Sequence, residues 1–257
     1  MSPRRIALAT ALPLVLWSFA VAAPCARAEL RADLGDTRFE LVDLSAWTLR
    51  AGELSVGPRE LAFGFADVFE VKSLFALNVF GAMNGGLKWL IHDDEKVGVG
   101  VEAGFVHFDP DLVGLDETFS VTAVPISVRA SGRPNERLRL HGAIDFLVAR
   151  PDEEAPDSIK RLSRHLFAAS RLAVTLGAEV RFGAHVAAVA ELEVPLIQHR
   201  KELRYANEDD WSEFLRGTLS FHFVVESFNL RVGGGYGPSW LGRTGFFPTA
   251  ELYFRIF

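Results

Sequence analysis

In the stretch "RLRLHGAIDFLVA", Arg139, His141 and Asp145 are spaced by two and four residues, and Glu179 with Arg181 and Glu191 with Glu193 repeat the spacing of two. In an extended chain such spacing puts each group on one face of a strand. Collected by this rule, Glu102, Arg139, His141, Asp145, Arg171, Glu179, Arg181, Glu191, Glu193, Arg216 and Arg231 form a two-signed set, extended by Glu70, Lys72, Lys88, Glu251 and Arg255. Carboxylates and guanidiniums on a shared surface can pair across neighbouring strands and fill an interior. They can equally line a polar path whose ion preference is set by rings of charge. Neither sign dominates the set, so strong selectivity for one ion is not expected.

Nucleophilic catalysis needs a hydroxyl held within hydrogen-bond reach of an oriented base. The sequence offers His107 with Ser120, and His165 with Ser163 and Ser170, none in a recognisable motif. His141 and Asp145 lie roughly 13 Å apart along a strand and cannot form a dyad by themselves. His92, His107, His141 and His222 lack the close spacing of metal ligands. "GGGYG" lacks the strand-turn-helix setting of a phosphate loop. The residues therefore assign no catalytic group, no metal and no cofactor.

The elements that position the charged set are strands. In "KVGVGVEAGF", Val97, Val99, Val101, Ala103 and Phe105 share one face and Gly98, Gly100, Glu102 and Gly104 the other. In "RLAVTLGAEVRF", Leu172, Val174, Leu176, Ala178, Val180 and Phe182 face away from Arg171, Thr175, Glu179 and Arg181. This period of two is that of a strand and not of a helix. Segments near 47–56, 59–66, 68–74, 82–92, 96–108, 118–130, 136–149, 169–182, 185–197, 211–223, 226–238 and 246–257 carry it, about twelve strands, or ten if "SLFALNVFGAM" and its surroundings fold otherwise. Connections from the fourth strand onward alternate between short ("DDE", "SGRPN", "GA", "VES") and long and polar ("DPDLVGLDE", "RPDEEAPDSIKRLSRH", "QHRKELRYANEDD", "PSWLGRTG").

The start of the chain reads as an export signal: cationic "MSPRR", an apolar run, and "ARA" at Ala26 to Ala28 as a small-x-small cleavage site. Residues 1–28 are then a signal peptide cleaved after Ala28, 29–46 a periplasmic N-terminal segment, and 47–257 the strand-bearing domain. Cleavage removes Cys25, the only cysteine, so disulfides cannot hold the mature chain. The chain has 27 Lys+Arg against 33 Asp+Glu, an acidic balance that excludes a general nucleic-acid binder. Hydrophobic residues reach 49%, yet no stretch after the signal is long and apolar enough for a membrane helix. An apolar exported chain of alternating strands can span a bilayer as a closed antiparallel transmembrane β-barrel, an all-β fold.

The signal peptide, the alternation and the terminal "ELYFRIF" together resemble bacterial outer-membrane β-barrel proteins. The resemblance implies a location in the outer membrane of a Gram-negative envelope, contact with outer-membrane lipid, and recognition of the C-terminal strand ending at Phe257 by the barrel assembly machinery. Within that signal the terminal aromatic usually shares a face with apolar residues two and four positions earlier, whereas here those positions are Arg255 and Tyr253. The functional expectation is a narrow, weakly selective small-solute pore or a structural barrel. The alternatives are a barrel-embedded lipid hydrolase and a secreted lipid-binding barrel. The latter has about eight strands, fewer than this chain requires.

Overall fold

The two-residue period carries through to twelve antiparallel strands: β1 Leu54–Val56, β2 Leu61–Phe65, β3 Phe69–Ser73, β4 Ala82–Asp93, β5 Val97–Phe108, β6 Val121–Gly132, β7 Leu138–Pro151, β8 Arg171–Arg181, β9 Val186–Gln198, β10 Arg216–Val225, β11 Phe228–Pro238 and β12 Thr244–Ile256. These come from a computed structural model that describes residues 45–74, 78, 82–94, 96–109, 120–151, 171–198, 215–238 and 244–256. Each strand pairs with the next, and β12 returns to β1 to close the barrel. The expected signal peptide, Phe257 and most of the long connections lie outside the described residues. Closure joins β12 to β1 through the pairs Leu54–Ile256, Ser55–Arg255 and Val56–Phe254, at the short-turn end of a much longer β12.

The alternation sorts side chains by wall face. Leu176 is 53% exposed on the outside, whereas Glu179, three residues on, is fully buried inside. Ile144, Phe146, Leu219 and Phe221 are likewise exposed and outward, while Arg139, His141, Arg181 and Arg231 are buried and inward. Apolar groups facing out and charges facing in reverse the arrangement of a soluble sandwich core.

Aromatic residues cluster at two levels of the outer surface. Phe65 stacks on Phe69 at 5.2 Å, and Phe228 meets Phe254 edge-on at 5.7 Å, near the end that carries the short turns. Tyr236 meets Phe246 at 5.1 Å toward the opposite end. Phe246 and Phe254 are separated along β12 by about 26 Å, or roughly 20 Å along the axis at an ordinary barrel tilt, close to the apolar band of an outer-membrane barrel.

The short turns are built by side chains that take over unpaired backbone donors. Asp94 Oδ1 accepts the amides of Lys96 at 2.7 Å and Val97 at 2.6 Å, between β4 and β5. These two backbone donors hold the exposed Asp94 carboxyl below its ordinary pKa. Asn135 Oδ1 accepts from Arg137 and Leu138, both at 2.9 Å, between β6 and β7.

The structure departs from the sequence reading at the first strand. A strand was expected from residue 47, but β1 begins at Leu54. Gly52 adopts φ 84, and Glu53 N–H donates to Arg50 O at 3.0 Å, so a turn interrupts the extended run at the place where the pattern changes face. In "SLFALNVFGAM", Asn78 is helical and donates to Leu74 O at 3.3 Å; residues 75–77 and 79–81 lie outside the described residues.

A ring of strands resists SDS more than an open sheet does, because no edge is available at which to begin unpairing. The folded protein is expected to migrate differently on SDS gels before and after boiling. Identical mobility in both lanes would rule out a closed barrel.

Candidate functional site: the barrel interior

The chain before β1 turns back into the barrel. Ser45, Ala46 and Trp47 are buried there. Ala46 N–H donates to Ser131 Oγ at 2.7 Å, Lys88 Nζ to Trp47 O at 2.6 Å, and Leu49 N–H to Glu70 Oε2 at 2.9 Å. The Trp47 indole N–H reaches Asp93 Oδ1 at 2.8 Å, and the Arg133 guanidinium lies 3.7 Å above its ring. Charged and polar wall groups thus satisfy a backbone segment that has no strand partner.

Inward glycines of the wall make room for this segment. A Cβ on Gly98 would stand 2.8 Å from the Trp47 ring, one on Gly100 would stand 2.8 Å from Ala46 O, and Gly64 is crowded by Leu49 O. Space beside the wall at Gly98 and Gly100 is therefore filled by the chain's own residues. Gly235 is likewise taken up by the ring of Phe247. What stays open beside the segment is a cavity of about 80 Å³ bordered by Trp47, Glu70, Lys72, Lys88, Glu251 and Tyr253.

Of the charged set read from the sequence, every residue with a described side chain faces inward, in small networks. Glu102 on β5 is paired with Lys72 on β3 and, at 2.9 Å, with Arg129 Nη2 on β6. Lys72 passes over Gly86 of the intervening strand, where an added Cβ would be 3.2 Å from Lys72 Cγ. Asp145 on β7 accepts from Ser127 at 2.6 Å and Thr175 at 2.7 Å. Glu179 pairs with Arg181. Arg139 stands opposite Glu179 in the β7–β8 register. His141 Nδ1 lies 2.9 Å from Ser131 Oγ. Arg231 meets Glu191 at 3.1 Å, and Thr218 donates to the same carboxylate at 3.2 Å.

Glu193 faces Arg216 across β9 and β10, and the Arg216 guanidinium is 5.3 Å from the centre of the Phe247 ring. Arg171 opens β8 opposite Gln198 on β9, on the inward parity of its strand; its side chain lies outside the described residues. His222 touches Asn229 Oδ1 and Tyr253 OH, both at 3.3 Å.

Several interior groups were not read from the sequence. Arg129 lies between Ser127 and Ser131 on the inner face of β6, a strand from which no charged residue was collected. Glu53 and its buried partner Arg255 are brought together from the two ends of the barrel domain. Arg133 and Trp47 belong to a turn and to a segment expected as strand. Periodicity marks Arg255 but not Trp47, Glu53 or Arg133, which lie outside the strands.

For acyl-transfer chemistry, His107 points outward and its Nδ1 lies 2.9 Å from Thr122 Oγ1, not beside Ser120. Among the described residues the ring makes no second hydrogen bond to an orienting acid or amide, as a triad requires. Ser163, His165 and Ser170 lie outside the described residues. No group of three His, Cys, Asp or Glu able to hold a metal occurs among the described residues.

No protein-family model matches the chain, and no curated protein sequence matches it. Solved structures similar to it include the NanC porin, with TM-score 0.43 and 10% identity over 79% of this chain and 94% of that one. Outer-membrane expressed OmpT of Vibrio cholerae gives TM-score 0.43 and 12% identity over 77% and 62% of the two chains. CdiB from Acinetobacter baumannii gives 0.29 and 9% over 76% and 46%. The described residues themselves form a closed ring of twelve strands, each antiparallel to its neighbours.

Proposed function

We propose that this protein resides in the bacterial outer membrane as a narrow pore for small hydrophilic solutes, weakly selective for charge, with residues 45–50 as its constriction. Supporting the location are the outward apolar wall and its two aromatic levels, which match a bilayer's hydrocarbon band and interfaces. The short-turn end and the N-terminal segment then face the periplasm.

The observation that carries the pore reading is the mixed interior. Pairs such as Arg231–Glu191 and Arg129–Glu102 set both signs of charge side by side on the inner wall. A twelve-strand wall encloses more space than an eight-strand barrel, whose side chains just fill it. Here part of that extra space is taken by the segment around Trp47. A purely structural barrel is the limiting case, in which the segment never leaves.

Single-channel recording of the purified protein in planar bilayers is the test. Small, noisy conductance with little preference between cations and anions is expected. Replacing Trp47 with Ala and Lys88 with Met should raise it, because these changes remove the stacking and the carbonyl contact that hold the segment. Large, steady conductance with strong ion selectivity would overturn the reading. Silence from both wild type and variant would leave the structural barrel.

A further inference from the structure

The cavity beside the inserted segment has a floor of small residues. Across the wall from β12 to β3, Arg255 stands opposite Ser55, Ser55 opposite Ala62, and Ala62 opposite Lys72. Gly57, the next inward position after Ser55, donates its amide to Glu60 O at 2.9 Å. Serine, glycine and alanine thus line the wall between longer neighbours, and Trp47, Thr48 and Leu49 border the space from the inserted segment. This is what leaves about 80 Å³ open. At about 10–15 Å³ for each water, the space takes roughly five to eight of them, or one solute of about that many heavy atoms.

The rim carries both signs of charge in equal number. Glu60, Glu70 and Glu251 border the space, and so do Lys72, Lys88 and Arg255. Their placement is sorted by strand: the lysines come from β3 and β4, whereas Glu251 comes from β12 and Glu60 from the turn before β2. Contacts with neighbours hold these groups in position. Lys72 pairs with Glu102, Lys88 Nζ donates to Trp47 O at 2.6 Å, Glu70 Oε2 accepts the Leu49 amide at 2.9 Å, and Arg255 pairs with Glu53. One such contact fixes a group without exhausting it, since an ammonium carries three donors and a carboxylate about four acceptor sites.

We propose that this cavity binds a small zwitterion, an α-amino acid of the size of glycine or alanine, with its carboxylate at Lys72 and Lys88 and its ammonium at Glu60 and Glu251. A lone anion would gain the lysines but meet three carboxylates, and a lone cation would gain the carboxylates but meet two ammoniums and a guanidinium. A molecule with both charges a few bonds apart gains on both sides. In a confined space of low dielectric that difference is strengthened. Groups already held in place also lose little freedom when the solute arrives. The site deepens the pore reading and rests on it only for passage through the barrel; binding itself needs no conduction, so a silent bilayer recording and a failure to bind are separate results.

Isothermal titration calorimetry of the full chain in detergent, with glycine, sodium acetate and methylammonium chloride titrated separately at constant ionic strength, is the test. Glycine is expected to give saturable heat and to bind roughly ten-fold or more tighter than acetate or methylammonium, the worth of one further charged hydrogen bond. Ala62→Leu should abolish the uptake by filling the floor, and Glu60→Gln should weaken it roughly ten-fold by removing a charge from the ammonium's side. Arg216→Gln, beside Phe247 and away from the cavity, should leave it unchanged. Each variant is checked for the gel shift on boiling, and Glu60→Gln, a change in a turn, decides if Ala62→Leu fails to fold. Absence of saturable glycine heat, glycine bound no tighter than acetate or methylammonium, or equal uptake by wild type and a folded variant overturns the proposal and leaves the cavity to water.

Discussion

Glu53→Ala is expected to destabilise the folded barrel by about 3–5 kcal/mol, because it leaves a buried guanidinium without its anion. Glu53 and Arg255 are 1% and 4% exposed and pair directly, at the seam where β1 meets β12. Glu53 also accepts the Arg50 amide at 3.0 Å through its second oxygen, so the change loosens the turn into β1 as well. The double variant Glu53→Ala with Arg255→Met should recover a good part of the loss, since it removes both charges together. Urea unfolding in lipid vesicles, read as the shift in gel mobility, measures all three proteins. A single variant as stable as wild type would show that water reaches Arg255 freely and that the seam is not dry.

Leu176→Arg is the second large effect, about 2–4 kcal/mol if this residue lies near the bilayer midplane. Leu176 is central in β8, outward and 53% exposed in the isolated chain. Val101→Arg should behave alike. The inward neighbour Thr175 is a milder site: Thr175→Asn keeps a donor for Asp145 Oδ2 and meets a polar lumen. Equal losses at Leu176 and Thr175 would mean that the apolar face is not toward lipid. On sequence alone Glu102→Gln looks as mild as Thr175→Asn, but the structure removes it from that class. It would strip the anion from both Lys72 and Arg129.

That difference shows which parts of the fold are legible in the sequence. Strand positions and inward parity follow from one local rule, the two-residue period, so β5, β7 and β8 lie within two residues of the expected segments 96–108, 136–149 and 169–182. The partner of a given charge depends on register between strands, and on whether the strand between them carries a glycine. Lys72 reaches Glu102 only because Gly86 offers no side chain in between. The segment at residues 45–50 was illegible for a related reason. "AWTLRAGEL" alternates well enough for a strand, and only the φ of Gly52 turns it inward. Gly98 and Gly100, which carry no side chain into the lumen, are the positions that admit this segment.

The seam also has a meaning for the order of assembly. Among the described residues three pairs, Leu54–Ile256, Ser55–Arg255 and Val56–Phe254, join β1 to β12, whereas β11 and β12 share a long ladder. The bond between Glu53 and Arg255 spans 202 positions of sequence. Bringing such distant residues together costs roughly 5 kcal/mol of loop entropy before any contact repays it, and three pairs repay little until the neighbouring hairpins are in place. The ring therefore closes last, after nearly all of the chain has been laid down as a curved open sheet. During that interval β1 and β12 each carry a bare row of amides and carbonyls. Two chains caught at that stage can satisfy those rows with one another, so closure is a race between a chain's own two ends and the edge of its neighbour, decided by how many unclosed chains share the same patch of membrane.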